Sequence, residues 1–473
     1  MASFRDPAGS VVRSGSQIFR YVSGPAYRTL EEFLASAPAQ SFLASGKLVS
    51  TSAALTDGDG VRQMEAGARL EFGTDVQVVE HERVWFPSYP YEWPPEMLFT
   101  SGELTLEIAQ TSLRQNFGLK DATPYNVLFR GPKPVFVDVL SFEKRDPADP
   151  TWLPSAQFER MFLLPLLMNQ RFGMRTDQIF LSHADGLTPE EVYRYCTWPQ
   201  RLRPPFLTTV SMPSWLGKRV KEDDGKLYSP KRSENPEKAR FILESQLRRL
   251  GRLLRSVRPK KVDSVWSSYN ETLSYADEEF QRKSDLVRVW ISQAAPRTVF
   301  DMGCNTGHFS EIAARAGARV LASDLDPAVV GETWRRASAA NLDILPLVVN
   351  AARPTPAVGW RNAEYTSFLE RATGQFDLVM MLALVHHLLV TERIPLAEIV
   401  GIAADLTTSN AIVEFVPKED PLFRRLTRGR EALHETFTQE VFEAACQERF
   451  HLVEKQPVKG NLRWLYLLRK RNS

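Results

Sequence analysis

The sequence has few cysteines and no long apolar run. Its 473 residues include only Cys196, Cys304 and Cys446, which are too few and too far apart for a disulfide framework or a zinc site. No apolar stretch reaches the ~18 residues that a membrane-spanning helix needs, and the first residues lack the basic and apolar regions of a signal peptide. These absences predict a cytoplasmic protein with no metal site and no membrane partner.

Excess charge of either sign is also absent. The net charge is only +2, although 25% of the residues are charged and 43% are hydrophobic. This overall balance does not favour nucleic acid as a partner, and the composition is typical of globular proteins. The length predicts two or three domains, of unknown oligomeric state.

The composition changes in the middle of the chain, where residues 199–236 are rich in Pro, Lys, Arg and Ser. A helix is predicted after Asn235, with one apolar face and one basic face. The apolar face has Leu243, Leu247, Leu250 and Leu254, and the basic face has Arg248, Arg249, Arg252 and Arg255. The basic face is interpreted either as solvated or as directed at RNA or phosphate. We therefore predict an N-terminal α+β domain over 1–198, a linker or insertion with this helix over 199–261, and an α/β domain over 262–473.

Strands and helices alternate regularly from residue 298, which predicts a parallel, doubly wound sheet. Asp326 is the predicted N-cap of a helix that Pro327 opens. The last two strands, "HLVEKQPV" and "LRWLYLLRK", are separated by "KGN" alone. A connection this short predicts an antiparallel hairpin at the end of the sheet.

The stretch "VFDMGCNTGHFS" places Gly303 and Gly307 between the first strand and its helix. Ligands of such sheets bind beyond the carboxyl ends of the strands, and glycines there allow close approach of the backbone. Asp324 follows Gly303 by 21 residues and ends the second strand, where a carboxylate accepts ribose hydroxyls. A dinucleotide site requires a third glycine, whereas Asp301 favours a ligand with an amino group. S-adenosylmethionine fits, because it carries an ammonium and a sulfonium; a plain strand-to-helix corner is the alternative.

These residues resemble motif I and the acidic ribose motif of class I S-adenosylmethionine-dependent methyltransferases, over about residues 262–473. The resemblance implies a Rossmann-like sheet in which Asp301, Gly303, Asn305 and Gly307 line the cofactor and Asp324 holds the ribose. Asn350 stands where the family often places an acidic residue that reaches the adenine amino group.

A finer resemblance spans nearly the whole chain. The stretches "YPYEW", "LKDATPYNVLF", "VFVDVLSFE", "LALVHHLL" and "VEFVPKEDPLFRRL" are similar to a bacterial family of two-part methyltransferases, some of which are called nodulation proteins. This resemblance implies the same methyltransferase fold but no particular acceptor.

Three side chains are candidates for removing a proton from the methyl acceptor. His386 and His387 follow the fourth strand, and a near-neutral pKa suits a general base; packing of the next helix is the alternative. Glu414 lies in an apolar strand, where either catalysis or a structural ion pair would explain it. Tyr275 and Lys283, upstream of the first strand, are candidates for contact with the methionine end of the cofactor, or are surface residues.

The N-terminal half contains Asp121, Asn126 and Asp138 at the spacing of the catalytic loop and metal-binding Asp of kinase-like folds. No His-Arg precedes Asp121, no Gly follows Asp138, and a phosphate loop and a strand lysine are not evident. The resemblance implies a degenerate kinase-like fold that does not transfer phosphate.

Three functions remain open from the sequence. The first is O- or N-methylation of a small-molecule or glycan-type acceptor. The second is RNA methylation through the Arg-rich helix. The third is a scaffold without catalysis, against which the complete set of Asp301, Gly303, Gly307 and Asp324 argues.

Overall fold

The computed structural model describes residues 5–54, 75–217, 232–261, 277–458 and 462–471. The chain divides into two compact units. The first unit runs to Arg130 and from Pro134 to Lys260, and the second comprises Gly131–Lys133 and the chain from Lys261 onward.

The first unit is an α+β structure built on a four-stranded antiparallel sheet. Its strands are β1 (Gly9–Ser14), β2 (Gln17–Ser23), β3 (Thr51–Ala53) and β4 (Val76–His81), in the order β1-β2-β4-β3. Two short pairs follow, β5 (Phe117–Leu119) with β8 (Phe142–Lys144), and β6 (Val127–Arg130) with β7 (Lys133–Phe136). The helices of this unit are Gly24–Leu34, Ala37–Ala44, Pro95–Ser112, Ser155–Phe158, Leu164–Phe172, Thr176–Ser182, Pro189–Tyr195, Trp198–Arg201, Met212–Gly217 and Pro236–Ser256.

The helix Pro236–Ser256 has the cap and the apolar face that the sequence predicts. The Asn235 side chain accepts hydrogen bonds from the backbone N–H groups of Glu237 and Lys238, at 2.9 and 3.3 Å. All four leucines of the apolar face are buried, and the helix packs against Pro95–Ser112. The apolar face therefore belongs to the core of the first unit.

The second unit contains one seven-stranded sheet in the order β11-β10-β9-β12-β13-β15-β14. Its strands are β9 (Thr298–Met302), β10 (Arg319–Asp324), β11 (Ile344–Val348), β12 (Phe376–Met381), β13 (Thr407–Phe415), β14 (Phe450–Pro457) and β15 (Trp464–Lys470). Strands β9 to β13 pair in parallel, whereas β15 is antiparallel to both β13 and β14. The predicted parallel sheet with a terminal antiparallel hairpin is confirmed.

Helices of the second unit precede the first strand, connect the parallel strands, and lead from β13 to β14. They are Asp277–Ala294, His308–Arg315, Pro327–Ala340, Phe368–Ala372, Val385–Val390, Leu396–Leu406, Pro421–Thr427 and Gln439–Arg449. Asp326 caps its helix as predicted, because its carboxylate accepts the N–H of Ala328 at 2.9 Å. The parallel strands thus end at one edge, which carries the glycine turn.

Candidate active site

The glycine turn after β9 is tied to the neighbouring strand β10. The N–H groups of Gly303 and Cys304 donate to the carbonyl oxygen of Ser323, at 2.8 and 2.9 Å. Gly303, Asn305 and Gly307 all have a positive φ, between 48° and 79°. Asn305 tolerates this conformation better than most residues, and glycine tolerates it freely. The chain is therefore folded back tightly at the carboxyl edge.

Gly307 is required by crowding as well as by its backbone angle. A Cβ atom at this position would lie 2.6 Å from Thr333 Cγ2. The Thr333 hydroxyl donates at 3.0 Å to the carbonyl oxygen of Asn305, so this side chain is held in place. Because residue 307 is glycine, the helix Pro327–Ala340 can pack against the turn. The motif alone does not reveal this reason for a glycine at the position.

Asp324 ends β10 and organises the same turn. One carboxylate oxygen accepts the N–H of Asn305 at 3.0 Å, and the other accepts the N–H of Asp326 at 3.1 Å. Burial raises its pKa to about 6, although these hydrogen bonds act in the opposite direction. A carboxylate at the end of this second parallel strand is placed where the hydroxyl groups of a ribose bind.

Asp301 is buried on β9 beneath the turn. Its carboxylate accepts a hydrogen bond of 2.6 Å from the Ser310 hydroxyl. Burial raises its pKa to about 6, against the effects of Ser310 and Lys283. Neither Asp301 nor Asp324 has an ion-pair partner within the described ranges. Two carboxylates in this state fit a ligand that carries both an ammonium group and ribose hydroxyls, as S-adenosylmethionine does.

Asn350 lies just beyond β11 at the same edge. Its side-chain oxygen accepts the N–H groups of Ala352 and Arg353, at 2.8 and 3.3 Å. Two donors fill the two lone pairs of an amide oxygen. The structure therefore gives Asn350 a role in the turn, and its contact with adenine stays a prediction.

Lys283 and Glu414 form one buried ion pair. Lys283 Nζ lies 2.5 Å from Glu414 Oε2, and both side chains are at most 5% exposed. Arg463 lies 3.4 Å from the other oxygen of Glu414 and binds Asp420 with two nitrogens, at 2.8 and 3.1 Å. Two cations and two carboxylates thus balance. The structural interpretation of Glu414 has this direct support.

The helix Asp277–Ala294, which carries Lys283, also reaches the glycine turn. The Ser284 hydroxyl lies 2.9 Å from Nε2 of His308, the first residue of the helix after the turn. Phe280 packs on the same imidazole, with 4.7 Å between ring centroids. No sequence motif marks the further residues of this region, because only the fold brings them together; they are His308, Ser284, Ser310, Asp420 and Arg463. Tyr275 lies outside the described residues.

His386 and His387 begin the short helix after β12, and their ring centroids are 4.2 Å apart. His386 is fully buried, and neither of its ring nitrogens has a hydrogen-bond partner in the described part of the chain. Burial holds the pKa of His386 well below its ordinary value, and the charges of His387, Arg463 and Lys283 act in the same direction. Burial and Arg463 lower the pKa of His387 to about 4. Both imidazoles are therefore neutral at pH 7.

One member of the Asp-Asn-Asp set, Asp138, forms an ion pair within the first unit. Arg20, on β2, forms a 2.6 Å ion pair with Asp138. Burial raises the pKa of Asp121, and the charges of Asp138 and Asp6 add to this effect. Over the described ranges, no three His, Cys, Asp or Glu side chains are grouped to hold a metal ion. An internal guanidinium thus neutralises Asp138, whose spacing resembles that of the metal-binding Asp of kinase-like folds.

Comparison with known proteins identifies the family. The family model described as "Methyltransferase domain" matches residues 300–402, which include the glycine turn, Asp324 and both histidines. Nodulation protein NoeA of Rhizobium meliloti (strain 1021) is 30% identical over 471 residues, or 98% of this chain and 94% of that protein. The chain belongs to the NoeA family of nodulation proteins.

Two solved structures show weaker similarity. The N-methyltransferase NodS from Bradyrhizobium japonicum WM9 is 14% identical, with a TM-score of 0.32, and covers 41% of this chain and 98% of its own. Magnesium protoporphyrin IX methyltransferase (ChlM) from Synechocystis PCC 6803, with bound SAH, is 18% identical, with a TM-score of 0.31, and covers 47% of this chain and 94% of its own. Similarity at this level adds nothing to the topology described above.

The family match and the methyltransferase domain together define the activity class. The chain is a methyltransferase, and its cofactor is S-adenosylmethionine. No helix in the described ranges is long and apolar enough to cross a membrane.

Proposed function

We propose that this protein transfers the methyl group of S-adenosylmethionine to an oxygen or nitrogen of a small-molecule or glycan-type acceptor in the cytoplasm. The observation that carries the proposal is the pair of carboxylates around the glycine turn at the carboxyl edge of the sheet, Asp301, which is buried, and Asp324, which is partly buried. Family membership supports methyl transfer and leaves the acceptor to be determined.

In this proposal, different residues at the edge contact different parts of the cofactor. The backbone of Gly303, Asn305 and Gly307 allows close approach, Asp324 receives the ribose hydroxyls, and Asp301 faces the ammonium group. The cofactor supplies the activated methyl group, so the protein has only to position the acceptor and, for a hydroxyl, to remove a proton. Lys283 and Glu414 stabilise the site through their ion pair. The assignment of Tyr275 stays a prediction.

His386 and His387 are the candidates for proton removal. Both are neutral at pH 7 because burial lowers the pKa of each, and a neutral imidazole has one unprotonated ring nitrogen. Neither is preferred: the ring nitrogens of His386 lack partners in the described part of the chain but the side chain is fully buried, whereas His387 is partly exposed. We assign Glu414 a supporting role, because two cations already occupy its oxygens.

RNA methylation is the weaker candidate. Arg248 pairs with Glu244 at 3.3 Å and Arg249 with Glu159 at 2.8 Å, so half of the predicted basic face is neutralised within the protein. The salt dependence of RNA binding would detect the remaining interaction, because phosphate contacts release counterions.

Calorimetry with S-adenosylmethionine tests the cofactor assignment. Asp324→Ala should weaken binding by about 1–3 kcal/mol, because it removes a partly buried acceptor of two hydroxyl groups. Glu398→Ala, which changes an exposed carboxylate on another helix, is the matched control and should bind as the wild type does. Equal affinity of Asp324→Ala and the wild type would contradict the ribose assignment.

Incubation with methyl-labelled cofactor and fractionated cell extract tests the acceptor class. We expect label in the metabolite or glycan fraction with the wild-type protein and less label with Asp324→Ala at the same cofactor concentration. Label confined to ribonuclease-sensitive material would instead support the RNA candidate.

A further inference from the structure

An exposed apolar and basic surface lies in the first unit, well separated in sequence from the methyltransferase site. Six large apolar side chains within 22 residues are exposed by 40–68%: Tyr195, Trp198, Leu202, Met212, Trp215 and Leu216. The helix Pro189–Tyr195 contacts the helix Met212–Gly217, and a group of large exposed apolar side chains marks an interaction site. We call these six side chains, with Tyr193 and the neighbouring arginines, the aromatic patch.

The aromatic patch rests on an ordered base. The indole N–H of Trp215 donates to the Tyr193 hydroxyl at 3.3 Å, and the two ring centroids are 6.5 Å apart. The Arg201 guanidinium lies 4.0 Å from the centroid of the Tyr193 ring. Val192, Phe206 and Val210 are buried beneath these elements. The apolar side chains are thus displayed by packed helices.

The charge of the same stretch has one sign. Residues 192–217 contain Arg194, Arg201 and Arg203 and no Asp or Glu. None of these arginines has an acidic partner within the described ranges. The nearest acid in sequence, Glu191, is engaged in the capping box of Thr188. The whole-chain net charge of +2 conceals this local excess, which is why the composition did not predict it.

We propose that the aromatic patch docks the protein reversibly on an anionic membrane surface. Trp and Tyr side chains favour the interface of a bilayer, Leu and Met insert among the acyl chains, and arginines attract anionic headgroups. Nucleic acid fits the patch less well, because exposed leucine side chains make no favourable contact with a phosphate backbone. A second copy in a two-fold contact would set three arginines against three others without an acid to compensate.

Co-sedimentation of the full chain with lipid vesicles tests the proposal. Binding to vesicles of phosphatidylcholine with phosphatidylglycerol should exceed binding to phosphatidylcholine alone by roughly 10- to 100-fold, given the attraction of three arginines. Added salt should reduce the difference, because it screens exposed charges. Equal binding to both kinds of vesicle, or binding to neither, would overturn the proposal.

Variants locate the surface. Trp198→Ala combined with Leu216→Ser should lower binding to anionic vesicles at least tenfold, while binding of S-adenosylmethionine is unchanged. Trp360→Ala is the matched control, since Trp360 is 63% exposed in the second unit. Unchanged binding by the double variant would overturn the proposal. The proposal would also be overturned if the wild type did not bind vesicles but self-associated, and if the double variant abolished that self-association. The patch would then bind a second copy of the chain.

Discussion

Two carboxylates at the cofactor edge accept hydrogen bonds from within the protein: Asp301 from a hydroxyl group and Asp324 from backbone N–H groups. Asp301 is buried and Asp324 is partly buried, and desolvation raises the pKa of each to about 6. A carboxylate must be ionised to attract an ammonium group or to accept two hydroxyl groups. At pH 7 the free protein is therefore only about one pH unit above the pKa of these two carboxyl groups.

Cofactor affinity should consequently depend on pH. Above pH 7 the affinity should be constant; below about pH 6 it should fall, by about tenfold per pH unit for each carboxylate that must be ionised. In the proposed binding mode S-adenosylmethionine engages both groups, so its affinity should fall up to about a hundredfold per pH unit. Adenosine lacks the ammonium group and should show only the slope of Asp324. Calorimetry with both ligands from pH 5 to 8 measures the slopes, and identical slopes would contradict the assignment of Asp301.

The two histidines give a second prediction at this scale. His386→Ala should bind the cofactor normally and lose about 10²–10⁴-fold in the rate of methyl transfer to a hydroxyl acceptor, since a positioned base contributes that much. His387→Ala is the companion variant, because it removes the adjacent ring from the same helix. Single-turnover kinetics separate the rate from binding. Unchanged rates in both variants would remove the pair from the mechanism.

At the scale of elements, β13 and the helix Asp277–Ala294 are joined by the ion pair of Glu414 and Lys283. A charged side chain inside a parallel strand costs several kcal/mol in desolvation unless a partner offsets it. The partners come from 131 residues upstream and 49 residues downstream.

Lys283→Met should destabilise the second unit by about 3–5 kcal/mol, because it leaves a buried carboxylate with half of its compensation. Glu414→Gln in the same chain should restore part of the loss, so the double-mutant cycle should report coupling. Denaturant unfolding measures all four proteins. Additive effects would exclude the ion pair as a stabilising unit and would return Lys283 to a role in cofactor contact alone.

The sequence predicted most of this unit at the level of elements. The cap at Asp326, the parallel strands and the terminal hairpin follow from local patterns and are confirmed, as is the cap at Asn235 in the first unit. A carboxylate in "AIVEFV" indicates that a partner is needed, but it does not identify Lys283 or Arg463. The crowding of Gly307 by Thr333 likewise depends on the packing of a distant helix. Local sequence patterns do not show which residues far apart in the chain come into contact.

At the scale of the whole molecule, two units of different architecture share one chain. The first contains the Asp-Asn-Asp set, but Arg20 neutralises Asp138. Phosphoryl transfer depends on positioning and charge neutralisation by metal ions and lysine, and a guanidinium at this carboxylate leaves one metal ligand fewer.

We therefore expect no magnesium-dependent ATP turnover by the full protein. Asp138→Asn should leave methyl transfer nearly unchanged, because the residue belongs to the other unit. A coupled assay of phosphate release with wild type and Asp121→Ala measures the activity. Turnover that Asp121→Ala abolishes would show that the protein is bifunctional.

The position of β15 has a consequence for synthesis on the ribosome. This strand follows β14 in the chain but lies between β13 and β14 in the sheet. When β14 leaves the ribosome it therefore has no strand to join, and β13 presents an open edge of unpaired backbone groups. Arg463, which compensates Glu414 and Asp420, also arrives with this last segment. The sheet of the methyltransferase unit cannot be completed until β15 has been synthesised, and until then its open edge can pair with other chains. The first unit has by then been synthesised completely.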